Sequence, residues 1–138
     1  TSTATPTLVG GAMAGKTVTD FAFNAAYNGT TSNGNACAVA SAQLYCWGSN
    51  TTSDTGGAAT ATPVLISALA GKTVTSVFTT RMDGYASGST CAIADGSLYC
   101  WGGNFLSTGS LLGIGSSPTS TATPTLVGGA MAGKTVGQ

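Results

Sequence analysis

Short runs of apolar residues alternating with polar ones, separated by Gly, Ser, Asn and Thr, predict β-strands joined by tight turns. The clearest case is Cys91–Gly102 (CAIADGSLYCWG). Asp95-Gly96 favours a two-residue type I′ turn there, because both central residues of that turn need positive φ. The turn places Cys91 opposite Cys100 at a non-hydrogen-bonded position, with Cα atoms about 4.5 Å apart. A disulfide can bridge that separation, so we predict a disulfide-linked hairpin.

The same stretch occurs 54 residues earlier as Cys37–Gly48 (CAVASAQLYCWG). It predicts a second disulfide, between Cys37 and Cys46, although Ser41-Ala42 is a weaker turn signal. The motifs TATP and AGKTV each occur three times. We therefore divide the chain into repeat units. They are a first unit at 1–62 with a hairpin at 36–47, a second at 63–118 with a hairpin at 90–101, and the start of a third at 119–138.

One repeat is perfect. Residues Thr1–Val18 recur letter for letter at Thr119–Val136, an offset of 118 residues, whereas the two internal units differ outside the shared motifs. The true period is therefore a module of two units. Two units and a start cannot close a ring, so we expect the chain to be a portion of a longer periodic array of such modules.

Three or four short strands in each unit match the size of one propeller blade. Both faces of each hairpin are apolar, and such a sheet needs neighbours on both sides. The predicted fold is all-β, with tandem β-propeller-type blades of short antiparallel strands in an open or superhelical array rather than a closed propeller. We expect four aromatic residues to pack between blades; they are Tyr45, Trp47, Tyr99 and Trp101.

The order TPxxV, a loop, AGKTVT, a strand and CAxADGxLYCWG resembles the repeats of the regulator of chromosome condensation family in their bacterial form. The resemblance covers nearly all of Pro6–Gly103 and implies four-stranded blades. Two features depart from it. The His that often precedes the first Cys is absent, and loops at 53–58 and 107–116 replace the usual Gly-Gln-Leu-Gly segment. No ligand or partner site of the family is therefore transferred to this chain.

Charge is scarce. Charged residues make up 6% of the chain, four Lys or Arg and four Asp with no Glu or His, and the net charge is zero. This composition favours neither nucleic-acid binding nor capture by an anionic membrane. It does favour self-association, so we expect neighbouring subunits or attached sugar to cover the surface. The predicted disulfides and this expected covering favour an extracellular or cell-surface location. No apolar run is long enough to span a bilayer.

Attached sugar has candidate positions in the predicted loops. Asn28 and Asn50 begin N-glycosylation sequons. Ser/Thr-rich runs with Pro have the composition of O-glycosylated stretches. The candidates are Asn28, Asn50, Thr51, Thr52, Thr60, Thr62, Thr119, Thr121 and Thr123. Sugar there would supply the hydration that charged side chains do not.

Chemistry has few candidates. GGAMAGKT at Gly10–Thr17, repeated at Gly128–Thr135, matches the P-loop pattern and would place Lys16 on nucleotide phosphates. The residues that follow read as a strand rather than a helix, so an inter-blade loop is the better interpretation. Acid–base work would fall on four aspartates, none of them in a motif pair; they are Asp20, Asp54, Asp83 and Asp95. We predict no enzyme, no metal site and no cofactor apart from covalent glycans.

These patterns together predict a non-enzymatic extracellular structural protein that assembles with copies of itself into a glycosylated helical fibre. It would resemble the glycan-coated fibrils found on microbes in environmental water. The expected partners are copies of the chain and glycans, without nucleic acid or membrane insertion. The alternative is a fragment of a closed secreted propeller that binds a protein or polysaccharide. A P-loop nucleotide binder is a remote third hypothesis.

Overall fold

The computed structural model describes residues 5–27, 32–49, 55–81, 88–104, 111–115 and 120–137. These residues form eight β-strands and three 3₁₀ turns, at Gly11–Met13, Ser67–Leu69 and Gly129–Met131, and they contain no α-helix. The strands are β1 (Val18–Tyr27), β2 (Ser32–Ala40), β3 (Gln43–Gly48), β4 (Thr60–Leu65), β5 (Val74–Arg81), β6 (Gly88–Ala94), β7 (Ser97–Gly103) and β8 (Ser120–Leu126).

The strands form two antiparallel sheets of four, in the orders β1-β2-β3-β4 and β5-β6-β7-β8. Each sheet is a meander, in which every strand pairs with the next one along the chain. Within the described ranges neither sheet closes on itself. The all-β prediction is confirmed.

The last strand of each sheet lies at or beyond the boundary with the next sequence unit. Strand β4 contains the TATP motif that spans the boundary between the first and second units, and it pairs with β3, with Tyr45 opposite Leu65. Strand β8 contains the third TATP and pairs with β7 in the same register, with Tyr99 opposite Leu126. The sequence repeat and the sheet are therefore out of phase. The first copy of this segment, at Thr7–Val9, forms no strand, and Leu8 is strongly exposed.

The segment Asn24–Asn35 has the polar composition of an exposed loop, but it is strand at both ends. Strand β1 continues to Tyr27, β2 begins at Ser32, and their ladder continues through Asn24 opposite Asn35. Backbone pairing does not depend on apolar side chains, and Gly34 lets the two backbones approach closely. A Cβ at Gly34 would lie 2.7 Å from the carbonyl oxygen of Asn24. The polar composition therefore hid this part of the hairpin.

Both predicted hairpins turn through two residues with positive φ. The values are 51° at Asp95 and 71° at Gly96, as a type I′ turn requires. Ser41 and Ala42 adopt the same conformation, with φ of 48° and 60°, although neither has the freedom of glycine. The first hairpin therefore has the same turn conformation as the second, although Ser41-Ala42 is a weaker turn sequence than Asp95-Gly96.

The main hydrophobic core lies between the two sheets, where β1 and β2 pack against β5. It contains Cys37, Val39, Leu44 and Cys46 from the first sheet, Val74, Val77, Ala92, Ala94 and Trp101 from the second, and Ile66 and Leu69 from the segment between them. Because side chains alternate along a strand, each sheet contributes one face to this core and turns its other face outward.

Candidate functional site

Both predicted disulfides are present. Cys37 pairs with Cys46 and Cys91 with Cys100, and the Cα atoms are 4.1 Å apart in each pair. The cysteines lie directly opposite each other in the β2–β3 and β6–β7 ladders. Two such disulfides fit an oxidising, extracellular environment. Over the described ranges, no helix has the length and apolar character needed to cross a membrane.

The two sheets meet through unlike faces. The first sheet contributes its disulfide face, which we define as Cys37, Val39, Leu44 and Cys46. The second contributes its tryptophan face, defined as Ala92, Ala94, Tyr99 and Trp101. Trp101 is completely buried there, and its indole N–H contacts no acceptor among the described residues.

The opposite faces point outward and form two smaller clusters. The tryptophan face of the first sheet consists of Ala38, Ala40, Tyr45 and Trp47, and it packs against Met13 and Leu65. The disulfide face of the second sheet consists of Cys91, Leu98 and Cys100, and it packs against Leu112, Ile114 and Val127. The tryptophan face of the first sheet therefore lies at one end of the molecule and the disulfide face of the second sheet at the other. Ala38, Ala40, Tyr45 and Cys100 are already buried there, whereas Phe21 at the first end and Phe78 at the second are largely exposed.

The four aromatic residues expected between blades occupy two different places. Trp101 and Tyr99 contact the core between the sheets, whereas Tyr45 and Trp47 belong to the outer cluster of the first sheet. Each tyrosine has a lysine above its ring. The ammonium nitrogen of Lys16 lies 5.9 Å from the ring centre of Tyr45, and that of Lys72 lies 5.5 Å from the ring centre of Tyr99.

Asp95 combines its turn position with an ion pair. Its carboxylate lies 3.3 Å from the Lys72 ammonium group and accepts the Thr73 N–H at 2.9 Å. The Thr73 N–H, followed by Lys72, holds the pKa of Asp95 below its ordinary value. The side chain of Tyr99, and after it Asp95, raises the pKa of Lys72. These contacts fasten the second hairpin to the start of β5.

The P-loop-like segment does not lead into a helix. Gly11–Met13 forms a 3₁₀ turn of three residues, and strand β1 begins at Val18, directly after Thr17. In a P-loop the N-terminus of a following helix binds the phosphates. The described residues contain no group of three or more side chains suited to a metal ion.

The glycosylation candidates are only partly placed. Thr62 and Thr123 are exposed, and Thr60 and Thr121 are half-exposed. The hydroxyl of Thr60 donates to the carbonyl oxygen of Thr62 at 2.9 Å, and Thr62 is the more exposed residue of the two. The remaining candidates lie outside the described residues; they are Asn28, Asn50, Thr51, Thr52 and Thr119.

Asp20 has a role that sequence reasoning missed. An aspartate without a motif partner is typical of a solvated surface position, but one oxygen of the Asp20 carboxylate accepts the Val77 N–H of the other sheet at 2.9 Å. The second oxygen accepts the Phe21 N–H at 2.9 Å. Asp20 lies at an irregularity in the β1–β2 register, which frees its side chain from the regular alternation. A lone carboxylate inside a predicted strand was the only available signal.

Comparisons with known proteins add no identification. A scan against models of protein families finds none that matches the chain. A search of curated proteins finds no significant match.

Proposed function

We propose that this protein is a non-enzymatic structural repeat protein, which assembles outside the cell into a glycosylated fibre made of its own copies. The observation that carries the proposal is the pair of unlike apolar faces at the two ends of the stacked sheets. A contact between two different surfaces of one molecule extends into an open helical filament whenever its rotation does not close a ring.

We further propose that each sheet is one propeller-type blade, similar to the repeats of the regulator of chromosome condensation family, and that the blades continue as an open array. A four-stranded antiparallel meander packed face to face on its neighbour supports this proposal. The recurrence of Thr1–Val18 at Thr119–Val136 also supports it, because a fixed offset repeats the same geometry at each step.

Covalent sugar belongs to the same proposal. Side-chain charge is scarce, at 6% of residues, and exposed threonines such as Thr62 and Thr123 lie in the Ser/Thr- and Pro-containing runs. Glycans on these runs would hydrate the outside of the fibre while the apolar end faces stay free for assembly. The two disulfides fit the oxidising compartment in which such modification occurs.

Electron microscopy of the full chain, purified with its native modifications, tests the fibre. We expect continuous filaments with helical symmetry. Discrete discs would instead indicate a closed secreted propeller, and dispersed monomers at all concentrations would contradict assembly altogether.

Intact mass spectrometry tests the modification separately. We expect hexose-containing mass that is lost on deglycosylation, and a further small change on reduction of the two disulfides. A mass equal to that of the bare polypeptide would remove glycans from the proposal and leave the filament to be judged by microscopy.

A further inference from the structure

The two outward faces have complementary counterparts inside the molecule. We infer that the outer tryptophan face of the first sheet binds the outer disulfide face of the second sheet of another copy of this chain. The inference rests on the proposed fibre function and names the surfaces that would join its subunits. The contact between two copies would then repeat the packing that joins the two sheets within one molecule.

Positions that correspond in the repeat differ sharply in burial. Val18 and Val74 both end an AGKTV motif, yet Val18 is 47% exposed and Val74 only 2%. Three residues further on, Phe21 is 66% exposed and its counterpart Val77 is 2% exposed. The residues of the second sheet are covered by the disulfide face of the first sheet. Among the described residues, Met13 and Leu65 pack on the corresponding face of the first sheet, but no disulfide face covers it.

The uncovered surface includes an open apolar cavity of about 640 Å³. Phe21, Ala38 and Trp47 line it on the sheet side, and Met13 and Thr7–Val9 of the N-terminal segment line it as well. Phe23, which is exposed, stacks beside Phe21 with ring centres 6.4 Å apart. An exposed aromatic patch of this kind marks an interaction surface.

The outer face of the second sheet is constructed like the inner face of the first. Gly56 and Gly113 have φ of 69° and 66°, and a Cβ at either would contact the corresponding residue of the repeat, at 3.3 Å from Ile66 or 3.1 Å from Val127. A Cβ at Gly56 would also lie 3.5 Å from the indole nitrogen of Trp101 in the facing sheet. We therefore expect Gly113 to lie against Trp47 of the second copy.

The backbone repeats the junction as well. The Val74 N–H, at the start of the second sheet, donates to the carbonyl oxygen of Ala42 in the first hairpin turn at 3.0 Å. The Val136 N–H donates to the carbonyl oxygen of Gly96 in the second hairpin turn at 2.8 Å. Val136 occupies the repeat position of Val18, where the first sheet begins. The second sheet therefore already holds the start of a following segment in the same way that the first sheet holds the start of β5.

The segment that precedes each sheet, which we call the connector, supports the same junction. The internal connector, Thr60–Val74, buries an apolar residue in each half, whereas the described part of each terminal connector buries an apolar residue in one half. The buried residues are Ile66 and Leu69 in the internal connector, Met13 in the N-terminal one and Val127 in the C-terminal one, while Val9 and Met131 are exposed. The N-terminal connector therefore has its second half buried, and the C-terminal connector has its first half buried. A junction that provided both environments would bury both halves of a single connector.

A junction between two copies needs only one of these identical connectors. The C-terminal connector of one copy is held by strand β8 and by the Val127 N–H, which donates to the carbonyl oxygen of Leu98 at 2.9 Å. The N-terminal connector of the incoming copy forms no strand in its described part; Met13 packs in the outer cluster, and the Gly11–Met13 turn lies against β4. We expect the C-terminal connector of the first copy to stay at the junction and its Met131 to take the place of Met13 of the incoming copy. The opposite exchange would break the pairing of β8 with β7.

Two charge substitutions test the contact. Phe21→Asp alters the tryptophan face, and Phe78→Asp alters the disulfide face, since Phe78 corresponds to Ala22, which packs against the inter-sheet core. Both phenylalanines are largely exposed, so folding should persist. Ala68→Asp adds the same charge to an exposed connector position away from both outer faces and serves as the matched control. Circular dichroism verifies the fold of each variant.

Sedimentation velocity of the full-length variants gives the readout. We expect each face variant alone to associate about 100-fold more weakly than the unaltered chain, because a buried contact would enclose an unpaired carboxylate. The control should assemble normally. An equimolar mixture of the two face variants should form dimers and nothing larger, because only one intact pair of faces remains. Val18→Asp should repeat the result of Phe21→Asp.

The outcomes separate this inference from the fibre itself. Filaments from both face variants would overturn the assigned faces and leave the fibre standing. Dimers in each variant alone, with no gain on mixing, would show contact between like faces and would also overturn it. Dimers on mixing together with closed rings of the unaltered chain would support the faces and overturn the fibre. A chain that stays monomeric at every concentration would overturn both.

Discussion

Asp20 shows how one residue can link two sheets. Its carboxylate accepts the Val77 N–H from β5 while the chain continues in β1. A hydrogen bond to a charged acceptor contributes more to stability than one between neutral groups. The neighbouring polar link, in which the Asn24 amide donates to the carbonyl oxygen of Thr80 at 3.3 Å, is longer and uncharged. Asp20 is thus the stronger of these two polar contacts.

We expect Asp20→Ala to lower the free energy of unfolding by about 1.5–3 kcal/mol, because the Val77 N–H loses a charged acceptor in a half-buried position. Urea denaturation measures the change. Asp20→Asn keeps an acceptor oxygen and should lose less. Equal losses in the two variants would show that the hydrogen bond is not the source of the effect.

Asp95 makes stability depend on acid pH. Its pKa lies below the ordinary value of 3.8 because the folded chain stabilises the carboxylate. That contribution is complete above the ordinary pKa and is lost as the pH falls through the lowered one. We expect the thermal midpoints of the unaltered chain and Asp95→Asn to converge in this acid range and to differ at neutral pH. A constant difference across the whole range would contradict the assignment.

The two hairpins could be predicted from the sequence, but the residues at which their strands begin and end could not. Asp95-Gly96 and the flanking cysteines specify the turn and the register within twelve residues, so the fold of this stretch depends on local chemistry alone. The extension of β1 and β2 through Asn24 and Asn35 depends on backbone pairing, which leaves no apolar pattern in the sequence. The transfer of β4 to the preceding sheet depends on a partner strand that the repeat motif does not reveal.

The candidate faces were predictable to the same degree. Alternation along Cys37–Gly48 and Cys91–Gly102 shows that both sides of each hairpin are apolar and need cover. The sequence pattern does not show which face of one sheet packs against which face of the other, because this depends on how the sheets stack in the folded molecule. Trp47 and Trp101 occupy the same position in the repeat, yet only Trp101 is fully buried. The sequence alone does not distinguish these two environments.

The two disulfides should contribute unequally to stability. Both join cysteines nine residues apart, so the loss of loop entropy should give each about 2–3 kcal/mol. Cys37 and Cys46 also lie in the core between the sheets, whereas Cys91 and Cys100 lie in the smaller outer cluster.

We therefore expect the variant with Cys37→Ala and Cys46→Ala to lose more unfolding free energy than the variant with Cys91→Ala and Cys100→Ala. The extra loss comes from core packing. Chemical denaturation of the two variants measures it directly. Equal losses would mean that loop closure alone accounts for both disulfides.

For the whole molecule, the low charge determines how assembly should respond to salt. The proposed faces are apolar, and net charge is zero. Screening therefore has little to act on. We expect the association constant to change by less than about twofold between low and high salt. Light scattering during assembly measures this, and a steep fall with added salt would indicate ion pairs between subunits instead.

The unlike ends of the stacked sheets give any filament of this protein a direction. One tip would always expose the tryptophan face and the other the disulfide face. Monomers would therefore add to the two tips with different rate constants. Elongation would then proceed mainly from one tip. A molecule shaped to cap only that tip could set filament length without touching the subunits behind it.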